Sequence, residues 1–257
     1  MILAVHNPKG GVGKTTTAVN VAAVLAGMGR KVLLMDLEPY AGSSISLGLR
    51  PKDLRPSIAD VLVDRVRPVD AVRTLPRFPN LHLITGSLAL AQIDSTLHDL
   101  RYPERRLADV VHPLAAAFDY VIIDSPVGFS LVSFSVPLAA QHLVVPVTAS
   151  YLPLEALAQF LRWYRDLRRT RKGLAGLLGI VLTLVDNRAQ ATREIVDIIR
   201  VHNREGVFKS EIPRDPRVTE APSHGQPLVR YAPRSAAAVA YQRLTDEILH
   251  RLSTRAR

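Results

Sequence analysis

Cysteine is absent from the 257 residues. That excludes disulfides, thiolate zinc sites and iron–sulfur ligation, and it suits a reducing compartment. Aromatic residues are scarce, at 5%. They do not alternate regularly with the basic residues, and no helix-turn-helix pattern is legible, so base-specific readout of nucleic acid is not expected. No apolar run reaches the roughly 18 residues of a membrane span. No basic segment and long apolar stretch precede a cleavage site near the first strand-like run, so no signal peptide is expected. Repeats, low-complexity tracts and long linkers are also missing. The expectation is a soluble cytoplasmic protein with one domain over 1–257, of which 253–257 form a flexible tail.

What is present is an apolar-rich chain (47%) with a formal net charge of +10. The charge is uneven. Arg162 to Arg257 holds 19 Lys/Arg against 10 Asp/Glu, whereas the first 161 residues hold 14 against 13. A basic excess in one part of a chain attracts polyanions such as nucleic acid or anionic lipid. Strand-like apolar runs at Ile2–His6, Lys31–Asp36, Leu81–Ile84, Tyr120–Asp124, His142–Val147 and Leu177–Leu184 alternate with helical stretches, among them Thr15–Met28, Pro103–Ala117, Leu154–Arg171 and Ala189–Asn203. Continuous apolar strands separated by helices predict an α/β fold: a mostly parallel twisted sheet with helices on both faces. Ligands then bind beyond the C-terminal strand ends. Residues 213–235 read as a long ordered loop. In Ala236–Leu252, Ala240, Leu244, Ile248 and Leu252 form one apolar stripe that predicts a helix packed on the core.

The chemistry is concentrated at Asn7-Pro8-Lys9-Gly10-Gly11-Val12-Gly13-Lys14-Thr15-Thr16-Thr17, between the first strand and the first helix. Strand, glycine loop and helix are the context of a phosphate-binding loop. In that reading the backbone N–H groups of Gly10, Gly11, Val12 and Gly13 and the positive end of the helix cradle phosphate oxygens. Lys14 bridges the β- and γ-phosphates, the Thr15 hydroxyl ligates Mg²⁺, and Thr16 donates to the α-phosphate. The fold class is therefore a single-domain P-loop NTPase. Asp36 and Glu38 close the second strand near the expected γ-phosphate. Asp124 ends an apolar strand in the pattern of a Walker B carboxylate, so Thr15, Asp36 and Asp124 are the candidate Mg²⁺ ligands.

The run Lys9 to Thr16 resembles the deviant Walker A signature of the ParA/MinD ATPases. The run Ile212-Pro213-Arg214-Asp215-Pro216-Arg217-Val218-Thr219-Glu220-Ala221-Pro222-Ser223-His224-Gly225-Gln226-Pro227 looks like the ParA/Soj partition branch, as do Thr183–Arg188 and Tyr231–Ser235. The resemblance covers most of the chain. It implies an ATP hydrolase whose homodimer forms on ATP binding, with Lys9 reaching the partner's phosphates. It also implies that Lys9, Lys14, Asp36 and Glu38 are catalytic, that Pro213, Arg214 and Asp215 flank the adenine with Asp186 or Asn187 nearby, and that Arg188 and Arg217 contact double-stranded DNA without sequence preference. Arg230 and Arg234 are weaker DNA candidates. A ParB-type centromere-binding partner would stimulate hydrolysis and release, no membrane partner is implied, and the location would be the nucleoid. Two departures are visible. Glu38 and Tyr40 stand where the family has Asp and Gln, and the extra methylene of Glu38 predicts slow hydrolysis; Val127 replaces a proline after Asp124. The alternatives are a MinD-like or cargo-positioning ATPase, or a weakly hydrolysing nucleotide-gated scaffold. Absence of an amphipathic terminal extension counts against the MinD-like form, and absence of cysteine against iron–sulfur relatives.

Overall fold

The computed structural model describes residues 1–203 and 206–255. Its centre is an eight-stranded sheet of order β3-β4-β2-β5-β1-β6-β7-β8. The strands are β1 Ile2–Val5, β2 Val32–Asp36, β3 Arg73–Thr74, β4 Leu81–Ile84, β5 Tyr120–Asp124, β6 His142–Thr148, β7 Gly176–Val185 and β8 Val207–Pro213. Every neighbouring pair is parallel except β3 with β4. β1, β2 and β5 are apolar along almost their whole length because helices cover both faces, as the continuous runs predict. The expected doubly wound α/β sheet is observed.

The connections run through α1 Lys14–Gly27, α2 Gly42–Ser46, α3 Ile58–Leu62, α4 Ile93–His98, α5 Arg106–Ala115, α6 Leu131–Ala139, α7 Tyr151–Thr170, α8 Gln190–His202, α9 Arg217–Glu220, α10 Leu228–Tyr231 and α11 Ala236–Arg255. One face packs on α1, α10 and α11, with Ala18, Leu25, Leu228, Tyr241, Leu244 and Ile248 in its core. The other packs on α3 to α8, with Ile58, Val111, Val136, Phe160 and Ile199 in its core. From β1 the chain winds outward through β2 and β4, returns to β5 beside β1, then crosses to β6, β7 and β8. The reversal flanks β1, and that is where the crevice for a ligand lies in such sheets.

Three expectations change. Two strands, β3 and β8, add to the six read from sequence. The 213–235 segment is ordered but contains α9 and α10, each only four residues long. The tail at 253–257 gives way to helix as far as Arg255, because Leu252 is buried and Arg255 Nη1 donates to Leu177 O at 2.8 Å; residues 256–257 lie outside the described residues. The stripe Ala240, Leu244, Ile248 and Leu252 is buried as expected. No helix among the described residues is long and apolar enough to cross a membrane.

Candidate active site

The loop after β1 is tied down on three sides. Asn7 Nδ2 donates to Pro146 O at 2.8 Å, and Asn7 Oδ1 accepts from the Lys9 amide at 2.9 Å. The Gly128 amide donates to Pro8 O at 2.8 Å. The buried Thr183 hydroxyl on β7 lies 2.9 Å from Val12 O and 3.2 Å from Val147 O. Gly11 and Gly13 have φ of 74° and 82°, a conformation that costs a side chain energy, so glycine at these two positions is what lets the loop curl. Gly13 then opens α1, whose first turn holds no acidic residue and no side-chain cap. The positive helix end is left to an anion from outside the helix. The buried Lys14 ammonium donates to Lys9 O at 3.0 Å, inside the curve of the loop. Burial lowers its pKa, while Glu38 and Asp124 oppose that shift.

Asp36 and Asp124 are direct register partners on β2 and β5, and neither is exposed to solvent. Their environments differ. Asp36 Oδ1 accepts from the Glu38 amide at 3.1 Å, and Oδ2 accepts from the Ser44 amide and hydroxyl at 2.8 and 2.7 Å. Asp124 Oδ2 accepts from the Ser43 hydroxyl at 2.8 Å, but its Oδ1 has no partner. Burial, then repulsion from Asp36, pushes the Asp124 carboxyl up to about 8; the hydrogen bond from Ser43 and the nearby Thr15 hydroxyl pull the other way. Such a carboxylate calls for a cation.

These residues fit Mg²⁺. Asp124 has an orphaned oxygen, the Thr15 hydroxyl stands beside it, and the would-be Cβ of Gly42 at the start of α2 comes within 3.2 Å of Thr15 Cγ2, so that turn seats the threonine. Among the described residues no three His, Cys, Asp or Glu side chains cluster as a metal cage. A site of one or two carboxylates completed by water and phosphate oxygens is the usual form for this ion. Asp36, also expected as a ligand, accepts from the Glu38 amide on Oδ1 and from Ser44 on Oδ2; these contacts hold the turn that carries Glu38 and leave a lone pair on Oδ1.

Glu38 is half-buried between Lys14 and Asp36, near the Val127 amide. Burial raises its pKa first, Lys14 lowers it and Asp36 raises it again. Tyr40 is 81% exposed and holds nothing at the site. Gly86 packs against the turn from Asp36 to Glu38. A Cβ there would stand 3.0 Å from Asp36 Oδ1 and inside van der Waals contact of Glu38 O.

The two segments expected around the adenine meet: Val185 pairs with Pro213, and the Arg214 amide donates to Val185 O at 3.0 Å. Asp186 Oδ1 accepts from the Arg188 amide, while Asn187 O accepts from Arg193. Asp215 is buried, accepting from the Arg217 amide at 3.0 Å and pairing with the Arg217 guanidinium at 3.7 Å. Arg188 and Arg217 thus follow the ends of adjacent strands, and both are exposed. Arg234 is exposed before α11. Arg230 is turned elsewhere, over the Phe78 ring and onto Arg77 O at 3.1 Å.

Sequence reasoning missed Ser43, Ser44 and Gly86, and it quoted Asn7 and Thr183 only within longer runs, without giving either a role. Thr183 carried a further signal as the lone hydroxyl in the apolar run Leu177–Val185.

A family model described as an AAA domain matches residues 1–175. The chain is 34% identical to the sporulation initiation inhibitor protein Soj of Bacillus subtilis, over 96% of this chain and 97% of that one. It is 35% identical to the chromosome-partitioning ATPase Soj of Thermus thermophilus, over 97% and 96%. Among solved structures, cobyrinic acid a,c-diamide synthase from Mycobacterium smegmatis with bound ATP analogue and magnesium superposes with a TM-score of 0.84 at 30% identity, covering 99% of this chain and 96% of that one.

Proposed function

The chain belongs to the Soj/ParA family of chromosome-partitioning ATPases, and from that premise we propose an ATP-gated DNA-segregation cycle for it. It is an ATP hydrolase that takes ATP with Mg²⁺. Lys14 and the loop amides hold the β- and γ-phosphates, and Asp124 and Thr15 hold the metal, whose charge would offset that developing on the transferred phosphoryl oxygens. Glu38, aimed by the contact of its amide with Asp36, orients the attacking water. Pro213–Asp215 and the Asp186–Asn187 turn bracket the base. Two copies close over their nucleotides, each Lys9 reaching the other's phosphates. Bound ATP so brings the Arg188 and Arg217 surfaces of two protomers onto one duplex, and a ParB-type partner triggers hydrolysis and release from the nucleoid.

The observation that carries this reading is the rim of the loop. Pro8 and Lys9 border a 390 Å³ apolar pocket lined by Phe129, Phe160 and Trp163. Phe129 is 79% exposed, and Tyr151 and Leu152 at the start of α7 are exposed too. Apolar groups bordering a phosphate loop support burial against a protein, since a nucleotide alone would not cover them. Gel shifts on two unrelated duplexes, with ATP and with ADP across a salt series, test the cycle. ATP-dependent, sequence-indifferent binding that weakens steeply with salt is expected, and Arg188→Ala with Arg217→Ala should weaken it on both duplexes. Binding confined to one duplex, or equal with ATP and ADP in that double variant and the parent, would contradict it.

A further inference from the structure

More than half of the basic excess of the C-terminal part is packed into eleven residues. Arg162, Arg165, Arg168, Arg169, Arg171 and Lys172 stand against one acid, Asp166. All six cations are exposed, on the last turns of α7 and just beyond. On the helix, Arg162, Arg165 and Arg169 lie on the side away from the buried stripe Pro153, Leu157, Phe160 and Tyr164, Arg168 lies at the edge of that stripe, and Arg171 and Lys172 follow the helix end at Thr170. Arg171 serves the fold, pairing with Glu104 at 3.6 Å and lying over the Phe134 ring. Arg169 meets Asp166 at 3.3 Å with both side chains exposed, a pair worth little in water. Among the described residues Arg162, Arg165, Arg168 and Lys172 have no carboxylate within ion-pairing distance. Cations in the last helical turn complement the helix dipole, but that accounts for Arg168 and Arg169 and not for a row reaching two turns back to Arg162.

The row is also remote from the nucleotide loop. α7 starts just after Thr148, at the end of β6 beside that loop, and runs back to Gly176 at the start of β7. Its basic turns therefore lie at the opposite end of the sheet from Arg188 and Arg217, which follow the far ends of β7 and β8.

We propose that this face of α7 is a second, nucleotide-independent contact for the backbone of duplex DNA, an inference that rests on the DNA-binding reading above. The helical part of the row, from Arg162 to Arg169, rises over seven residues, about 10 Å at 1.5 Å per residue, and Lys172 continues it past the helix end. A duplex strand offers a phosphate roughly every 3.4 Å along its axis, so about three phosphates face the helical part of the row, and Lys172 lies beyond it for about one more. A lipid surface is the poorer fit, because membrane-surface helices carry an exposed apolar face beside the basic one. Here the buried stripe is in the core, Trp163 packs among Phe129, Phe134 and Phe160 although 37% exposed, and the exposed Tyr151 and Leu152 lie at the other end of α7 from the basic turns. Since nothing in this contact requires a second protomer or bound ATP, it holds the nucleotide-free monomer weakly near DNA, where rebinding of ATP re-engages the stronger site.

The test is fluorescence anisotropy of a labelled duplex with the full chain, at several salt concentrations, without nucleotide and with a slowly hydrolysed ATP analogue, alongside sedimentation with phosphatidylglycerol vesicles. In Arg165→Ala/Arg168→Ala/Lys172→Ala, nucleotide-free binding should weaken at least tenfold, and the slope of log affinity against log salt should fall by about 3. Binding should recover in Arg165→Lys/Arg168→Lys, which keeps the charge. The fold-increase on adding the analogue should persist, as should ATP hydrolysis. Undiminished nucleotide-free binding in the triple variant overturns the proposal, and so does wild type that binds DNA only with the analogue; in both cases the ATP-gated reading survives. Preferential sedimentation of wild type with vesicles also overturns the DNA assignment. Conversely, loss of nucleotide-free binding in the triple variant, with no increase from the analogue in wild type, would uphold this face and refute the ATP-gated switch.

Discussion

Gly86→Ala is the substitution whose effect follows most directly from the site's geometry. A methyl group at this position comes within 3.0 Å of Asp36 Oδ1 and closer still to Glu38 O, which is backbone and cannot swing away. Ordinary contact needs about 3.5 Å, so the Glu38 turn has to retreat by about 1 Å. Overpacking of this kind costs about 1–3 kcal/mol. At about 2–4 °C per kcal/mol for a chain of this size, the melting temperature should fall by about 2–12 °C. The larger effect is on chemistry. Displacing a water-orienting carboxylate by about 1 Å costs on the order of a hundredfold in turnover. The phosphate loop is not touched, so ATP affinity should stay within about threefold of wild type. The assay pairs steady-state phosphate release with nucleotide titration and a thermal melt. Gly27→Ala is the control: nothing lies within 4 Å of the added Cβ at the end of α1, and it should leave hydrolysis unchanged. If Gly86→Ala hydrolyses ATP within twofold of wild type and melts with it, the Asp36–Glu38 turn does not have the role given to it here.

Thr183→Val keeps the shape of the side chain but leaves Val12 O without its hydroxyl donor, which should cost about 1–3 kcal/mol and weaken ATP binding; a melting curve superimposable on wild type would contradict the anchoring of the loop by β7. Glu38→Ala should retain ATP and lose at least tenfold in phosphate release, whereas Glu38→Asp should keep or raise turnover, and equal release from wild type and the alanine variant would remove Glu38 from the chemistry. Asp124→Asn tests the buried carboxylate through pH. The folded pKa is about 8 against an ordinary value of 3.8, so between those limits the folded state holds a proton that the unfolded chain has lost, and the cost of Asp124 to stability grows with pH and is complete above about 8. The asparagine variant, which never carries that charge, should gain melting temperature over nucleotide-free wild type more at pH 8.5 than at pH 6. An equal gain at both would refute the assignment.

The parts of the molecule legible in the sequence are those governed by local rules. β1, β2 and β5 are covered on both faces and so read as apolar runs, and the loop Lys9–Thr16 is legible because a left-handed curl demands glycine at Gly11 and Gly13 and lysine follows at once. β8 escaped because it is an edge strand: Lys209, Ser210 and Glu211 interrupt its apolar pattern, and the amides of Lys209 and Ser210 are bound by Glu247 from α11, 38 and 37 residues away. α9 and α10 are too short to show a helical period. Ser43, Ser44 and Gly86 matter only through the side chains that folding brings to them, two carboxylates on β2 and β5, and no spacing along the chain announces that meeting. The charge balance located a basic half, but only the helix geometry of α7 separates a basic face there from the arginines beyond β7 and β8.

The central claim is that ATP is the joint of a dimer, with Lys9 reaching across it. Light scattering after size exclusion, with Mg²⁺ and a slowly hydrolysed ATP analogue, measures this most directly. Wild type should double in mass with the analogue and remain monomeric with ADP, and Lys9→Ala, while still binding nucleotide, should remain monomeric with both. A Lys9→Ala protein that dimerises with the analogue as fully as wild type, or a wild type whose mass ignores the nucleotide, would contradict the account.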